Sequence, residues 1–195
     1  MTAELRALLR VTEALESESI PYMLTGSLAS SYHGRPRTTH DADLVVDPDP
    51  AQLLRLVRHL SEAGFWLDPP RGPDALRRWL PLNAVETATG WKIDLFPRPE
   101  RPWSRAELDR RRPALVGPAA RLAMVSPEDA ILSKLEWTRK PGEAEKHFAD
   151  VRGVLEVSPD LDRRYIESWA VELGIFDLWR KVSGGTPPAR PGAGS

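Results

Sequence analysis

Pro21-Tyr22-Met23-Leu24-Thr25-Gly26-Ser27, and a little further on Gly34-Arg35-Pro36-Arg37-Thr38-Thr39-His40-Asp41-Ala42-Asp43-Leu44-Val45-Val46-Asp47, decide how the chain is read. The first run is a short apolar strand that meets a tight glycine turn, and Leu28 to Tyr32 then start a helix. The second is a polar loop leading into a strand with a Leu-Val-Val centre. Asp41 and Asp43 are two residues apart, so on a strand both carboxylates face one way, about 6.5–7 Å apart along the chain, while Ala42, Leu44 and Val46 take the core face. Gly26 lets the backbone come close to a ligand. The helix behind it turns free N–H groups and a positive dipole end toward an anion, and the Ser27 hydroxyl can add a hydrogen bond to a phosphate. A phosphate cradle followed closely by paired carboxylates suggests chemistry on a nucleoside triphosphate.

A third carboxylate joins them from Lys92-Ile93-Asp94-Leu95-Phe96, where Ile93 and Leu95 put Asp94 on the polar face of another strand. If the two strands are neighbours at about 4.8 Å, the three acids converge. Such a cluster is unfavourable without a cation, and hard oxygen ligands suit Mg²⁺ or Mn²⁺ rather than zinc. A calcium-loop reading of 41–49 fails: Val45 holds the fifth position, and the sixth has no glycine. Arg37 can pair with these carboxylates or with phosphate.

Around this centre the pattern is α/β. Thr2 caps a first helix with Leu5, Leu8, Leu9 and Leu15 at helical spacing. Asp49-Pro50-Ala51-Gln52 is a capping box opening a helix that runs toward Gly64. Trp79 to Ala88 and Trp91 to Phe96 read as a hairpin turning at Thr89-Gly90. Ser104-Arg105-Ala106-Glu107 reads as the cap of a short basic helix reaching Arg112, with Trp103 placed to stack on a base. Leu115-Val116 and Leu122 to Val125 read as short strands. From Ser126-Pro127-Glu128-Asp129 the chain turns helical: one helix carries Ile131, Leu132, Leu135 and Trp137, a second covers Glu143 to Leu155, a third runs from near Pro159 to Leu173, and a fourth from Ile175 to Val182. Trp137, Trp169 and Trp179 are expected in the core of this part, and Asp150 is expected to pair with a Lys or Arg between helices. The expected organisation is a small mixed-sheet α/β (α+β) core over 1–125, a helical lobe over 126–183 and a disordered tail over 184–195, rich in Gly, Pro and Ala.

Together, Gly26-Ser27, the Asp41-Ala42-Asp43 strand and Asp94 resemble the nucleotidyltransferase superfamily with the DNA polymerase β-like fold. The run Gly34 to Asp41 is similar to the Gly–x–x–Arg–x–Thr–x–Asp pattern of its small bacterial members. Ser126 to Asp129, Lys134, Lys146 and Asp150 resemble the helical lobe of abortive-infection-type nucleotidyltransferases. The resemblance implies Mg²⁺ (or Mn²⁺) on Asp41, Asp43 and Asp94, with Asp94 also helping to activate an attacking hydroxyl. It implies a nucleotide held by Gly26, Ser27, Arg37, Thr39 and Lys134. The implied activity moves NMP from an NTP to RNA, a protein or a small molecule and releases pyrophosphate. Two departures stand out. Leu28 to His33 lack the Ala-Arg-Gly of the minimal antitoxin-type members, and the chain is short for an abortive-infection toxin. The alternatives are a non-catalytic nucleotide- or RNA-binding module and a partner in a toxin–antitoxin pair.

The 195 residues carry 27 Lys and Arg against 28 Asp and Glu. That balance argues against a nonspecific polyanion coat. The absence of cysteine excludes disulfides, thiolate zinc sites and cysteine nucleophiles, and fits a cytoplasmic protein. No apolar run approaches the ~20 residues that span a bilayer, and the N-terminus lacks a signal core. Oligomeric state is not legible.

Overall fold

The computed structural model describes residues 2–67, 81–117, 120–140 and 142–184. Among them, seven strands form one mixed sheet, β1(Tyr22–Thr25), β2(Asp41–Val46), β3(Phe65–Leu67), β4(Leu82–Glu86), β5(Lys92–Pro97), β6(Arg112–Val116) and β7(Ala120–Met124), in the order β3-β4-β5-β2-β1-β7-β6. Eight helices accompany it: α1(Ala3–Ser17), α2(Gly26–His33), α3(Pro50–Glu62), α4(Pro102–Asp109), α5(Pro127–Trp137), α6(Ala144–Val157), α7(Arg163–Glu172) and α8(Phe176–Ser183). The fold is therefore the expected α/β (α+β) arrangement. The tail over 185–195 and the start of the expected strand at Trp79 and Leu80 lie outside the described residues.

Local chemistry sets these elements. The Thr2 side chain caps α1, Asp49 and Gln52 close a reciprocal capping box on α3, and Ser126 caps α5. Strand β2 alternates half-buried and buried residues along its length, with Ala42, Leu44 and Val46 facing the core and Asp41 and Asp43 the other way. Strand β6 accommodates Pro113 because it is an edge strand with a free side.

Several boundaries differ from the expected ones. Helix α4 starts two residues before Ser104, with Pro102 in its first turn, where proline's fixed φ fits and its missing N–H is not needed. It ends at Asp109, and Arg112 opens β6 instead of closing the helix. The three-residue strand β3 was too short to announce itself by alternation. The third helix of the lobe begins at Arg163 behind Asp162, whose side chain accepts from the Tyr165 N–H, not near Pro159.

The core divides into two apolar clusters. One joins α1, α3 and the sheet, with Leu8, Leu15, Leu24, Leu44, Leu56, Leu60, Ile93 and Leu95 almost wholly buried. The other joins α5 to α8 through Ile131, Leu135, Val151, Ile166 and Trp179, and takes in Trp103 from α4. Helix α2 packs against both α5 and α6. Close approach fixes this seam: a Cβ at Gly34 would meet the Val154 backbone N at 2.6 Å. The loop that follows α2 is thus held against α6, which brings Arg37 to Asp150.

Candidate active site

Strands β1, β2 and β5 lie side by side and bring the predicted acids together. Thr25 is the register partner of Asp43 across the antiparallel β1–β2 pair, and Asp43 faces Asp94 across the parallel β2–β5 pair. Thr25 also stands at the N-terminus of α2, so the strand delivers Gly26 and Ser27 directly onto the Asp43 side chain. Gly26 has φ +65°, and a Cβ there would lie 2.6 Å from Asp43 Cγ and 2.8 Å from its Cβ. Only glycine meets both demands. The turn and the carboxylate are built against each other.

Asp43 carries the electrostatic cost. Burial first, then Asp41 and Asp94, push its carboxyl up to about 6, against the opposing pull of Lys134 and the Ser27 backbone N–H. The two outer acids each have a donor of their own. Thr39 Oγ1 donates to Asp41 Oδ1 at 2.7 Å, and Lys92 Nζ donates to Asp94 Oδ2 at 2.7 Å. Asp94 Oδ1 is buried with no hydrogen-bond partner. The three carboxylates share one face of the sheet, Asp43 directly beside Asp94 and both Asp41 and Asp94 close enough to act on Asp43. Among the described residues, no three acidic, imidazole or thiol side chains stand together as a ready metal-binding group. The donor chemistry still fits a hard divalent cation: every candidate ligand is a carboxylate oxygen, one is orphaned, and their repulsion is what a cation relieves. Asp41, Asp43 and Asp94 are the residues that would hold it.

The opposite wall carries the cations. Lys134, on α5, places Nζ 2.8 Å from Asp150 Oδ2 and 3.4 Å from Ser27 Oγ. Arg37 donates from Nε to Asp150 Oδ1 at 2.8 Å, and from Nη2 to Ser27 Oγ at 2.6 Å and Asp150 Oδ2 at 3.1 Å. Two positive groups thus converge on the Ser27 hydroxyl, and Asp150 on α6 holds both. Against burial, which raises it, these hydrogen bonds keep the Asp150 carboxyl below its ordinary value. Asp150 pairs between helices as expected, and Arg37 pairs with it rather than with the Asp41–Asp43–Asp94 group.

A cleft of about 520 Å³ runs from Gly26, Ser27 and the three acids to a far end formed by α4 and α5. Sequence reading missed that far end. Arg101, Glu107, Glu136 and His147 line it, yet each sits among ordinary surface-like charges in the sequence. Trp137, expected in the lobe core, instead lines the cleft edge-to-face with Phe96. Trp103 is buried, and its Nε1 donates to Asp129 at 3.1 Å. It has no face to offer a base. Three arginines around it are paired with acids: Arg98 with Asp47, Arg101 with Glu136, Arg110 with Glu128; Arg105 and Arg112 stay exposed.

The arrangement is that of a nucleotidyltransferase-like fold, and solved structures agree at low sequence identity. ANT(2")-Ia in complex with adenylyl-2"-tobramycin is similar over 89% of this chain and 98% of its own, at 14% identity and a TM-score of 0.63. The lincosamide antibiotic adenylyltransferase LnuA, lincomycin-bound, matches 81% of this chain and 98% of its own at 12% identity and a TM-score of 0.52. A putative nucleotidyltransferase from Thermotoga maritima matches 86% of this chain and 92% of its own at 16% identity and a TM-score of 0.52. No family model matches the sequence, and no curated protein matches it. Among the described residues no helix is long and apolar enough to cross a membrane.

Proposed function

We propose that the chain transfers a nucleoside monophosphate from an NTP to a hydroxyl group, with Mg²⁺ or Mn²⁺ required and pyrophosphate released. The observation that carries this reading is the contact between the Gly26 turn and Asp43. It makes a phosphate at the start of α2 and a cation at the carboxylates immediate neighbours. The presence of all three acids and of Lys134 at one cleft favours an enzyme over a non-catalytic nucleotide-binding module.

In this reading the Ser27 hydroxyl, the free N–H groups of α2, Arg37 and Lys134 receive the triphosphate. Thr39 orients Asp41. The attacking hydroxyl oxygen forms a bond to the α-phosphorus, the α–β bridging P–O bond breaks, and its electron pair leaves with pyrophosphate. The hydroxyl proton passes to a carboxylate, in this reading Asp94, whose Oδ1 has no protein partner to compete for it. A divalent ion, when bound by Asp41, Asp43 and Asp94, supplies charge neutralisation of the phosphates. The buried Trp103 and the pairing of Arg101 and Arg110 with acids weigh against a base-stacking RNA rim at this place. The compounds bound to two of the fold neighbours favour a small hydroxylated molecule as the group that is modified.

The test is incubation with each α-³²P-labelled NTP, Mg²⁺ and separate panels of small hydroxylated molecules, total RNA and protein. Label is expected in the small-molecule panel, and is expected to disappear with EDTA. No transfer into any panel would contradict the reading.

A further inference from the structure

A second cleft lies at the other end of β1. Thr25 closes that strand beside Asp43, whereas Tyr22 opens it. Strands β1 and β7 share a single register pair, Leu24↔Met124, where the Val125 N–H also donates to the Leu24 carbonyl. Before that pair the two strands are not joined. Beside Pro21 and Tyr22 there is instead a cleft of about 670 Å³, walled on its other side by Arg121 and Leu122 of β7 and Arg112 of β6. It shares no lining residue with the catalytic cleft.

The cations of this cleft are largely without protein partners. Three consecutive arginines follow α4. Arg110 is held by Glu128 and lies over the Tyr165 ring. Arg111 donates from Nη1 to the Leu108 carbonyl and to no carboxylate. Arg112 and, across the hairpin, Arg121 are exposed, and their side chains have neither a hydrogen bond nor an ion pair among the described residues. Two acids also line the cleft. Glu16 accepts from Tyr22 Oη at 2.8 Å, and Asp109 pairs with none of the three arginines there. Ser19 lines the cleft as well, at φ +55°, and its hydroxyl has no hydrogen-bond partner among the described residues. Arg111, Arg112 and Arg121 thus stand free of carboxylates beside an apolar wall of Ile20, Pro21 and Leu122.

We infer that this cleft is a second, non-catalytic binding site, for a small molecule that carries a phosphate group on an apolar or aromatic body. Guanidinium groups match phosphate oxygens in pairs and are weakly hydrated, so they take an oxyanion in place of water readily. The cleft has the volume of a site for a nucleotide-sized ligand, and its apolar wall receives the body of that ligand. The two acids bound the length of the anion: a polynucleotide would bring a run of phosphates to a rim that holds Glu16 and Asp109, whereas a single phosphate group meets the arginines alone. The arginines supply the positive charge, so no divalent ion is needed. This site stands independently of the nucleotidyl-transfer reading.

Phenylglyoxal modifies free guanidinium groups, and peptide mass spectrometry reads each arginine separately. The probes are phenyl phosphate, benzoate and an oligouridylate, each in EDTA at matched ionic strength. Phenyl phosphate is expected to slow modification of Arg112 and Arg121 about tenfold and to leave the exposed Arg105 unprotected. Lys134→Met, which alters only the catalytic cleft, is expected to show the same protection. In that background, Arg112→Gln with Arg121→Gln is expected to keep its Tm, since both side chains are exposed and unpartnered, and to weaken phenyl phosphate binding about ten- to a hundredfold by calorimetry. Absence of protection, equal protection of Arg105, or unchanged affinity in the arginine variant overturns the inference. Equal protection by benzoate would overturn the phosphate class, and stronger protection by the oligouridylate would replace the small molecule with RNA. Protection that disappears in Lys134→Met would return the ligand to the catalytic cleft and overturn the second site. Loss of transfer activity in any variant bears on the nucleotidyl-transfer reading and not on this one.

Discussion

Asp43 is where the fold and the chemistry disagree most. Its carboxyl sits between two other acids and under the Gly26 turn, and it holds its proton up to about pH 6 in the folded, metal-free chain. In the unfolded chain it releases that proton near the ordinary value of 3.8. Between those limits the folded state binds more protons, so its stability falls as pH rises, and above about pH 6 the penalty is full. Asp43→Asn removes that penalty. In EDTA at pH 7.5 the variant is expected to be more stable by roughly 1–2 kcal/mol after allowance for solvent screening, a gain of a few degrees in Tm. At pH 4 the gain is expected to vanish. Transfer activity is expected to be lost at both, and thermal melts at the two pH values check the sign. Gly26 gives the opposite result. Gly26→Ala meets the left-handed φ, worth about 1–2 kcal/mol, and drives a methyl into the Asp43 carboxylate. It is expected to lower Tm and abolish activity together, and Asp43→Ala in the same chain is expected to recover part of the stability but none of the activity.

At the scale of elements, the site is a meeting of β2 and β5 with α2, α5 and α6. Asp150 on α6 ties Lys134 on α5 and Arg37 after α2 to the Ser27 hydroxyl. Lys134→Met keeps the stem and leaves Asp150 bonded to Arg37, so stability is expected to change little while MgNTP affinity falls, which calorimetry measures. Asp150→Asn releases both cations at once. It is expected to cost roughly 1–3 kcal/mol of stability and to raise KM for the NTP more than it lowers kcat. An Asp150→Asn protein with wild-type KM would mean the pair only staples helices. Much of this was legible in the sequence. Alternation along 41–46 declared which face the acids take, the caps at Asp49 and Ser126 declared two helix starts, and glycine before serine declared the turn. What stayed hidden was pairing. Nothing local says that β5 lies parallel to β2, that Asp150 would gather Arg37 across 113 positions, or that Glu107 would face inward from a helix that reads as a basic surface. The Ser104–Glu107 spacing mimicked a capping box, but Pro102 took the start of the helix, which freed Glu107 for the cleft.

At the scale of the whole molecule, the cleft that holds the candidate site is lined by charged and uncharged residues in nearly equal number, and two apolar clusters make up the core. Filling that cleft should stabilise the chain. MgNTP at about a hundred times its Kd is expected to add about 2.7 kcal/mol, a rise of several degrees in Tm, and NTP with EDTA is expected to give much less. Equal shifts with and without the metal would remove the carboxylates from nucleotide binding. The most direct test of the central claim follows the two ends of the nucleotide in one reaction. With a small hydroxylated molecule as acceptor, Mg²⁺ and an NTP labelled separately at the α- and γ-phosphates, the α label is expected in the modified molecule and the γ label in pyrophosphate, one for one, with neither in the Asp43→Asn reaction. The γ label appearing in the modified molecule or as inorganic phosphate, or equal transfer by Asp43→Asn, would contradict it.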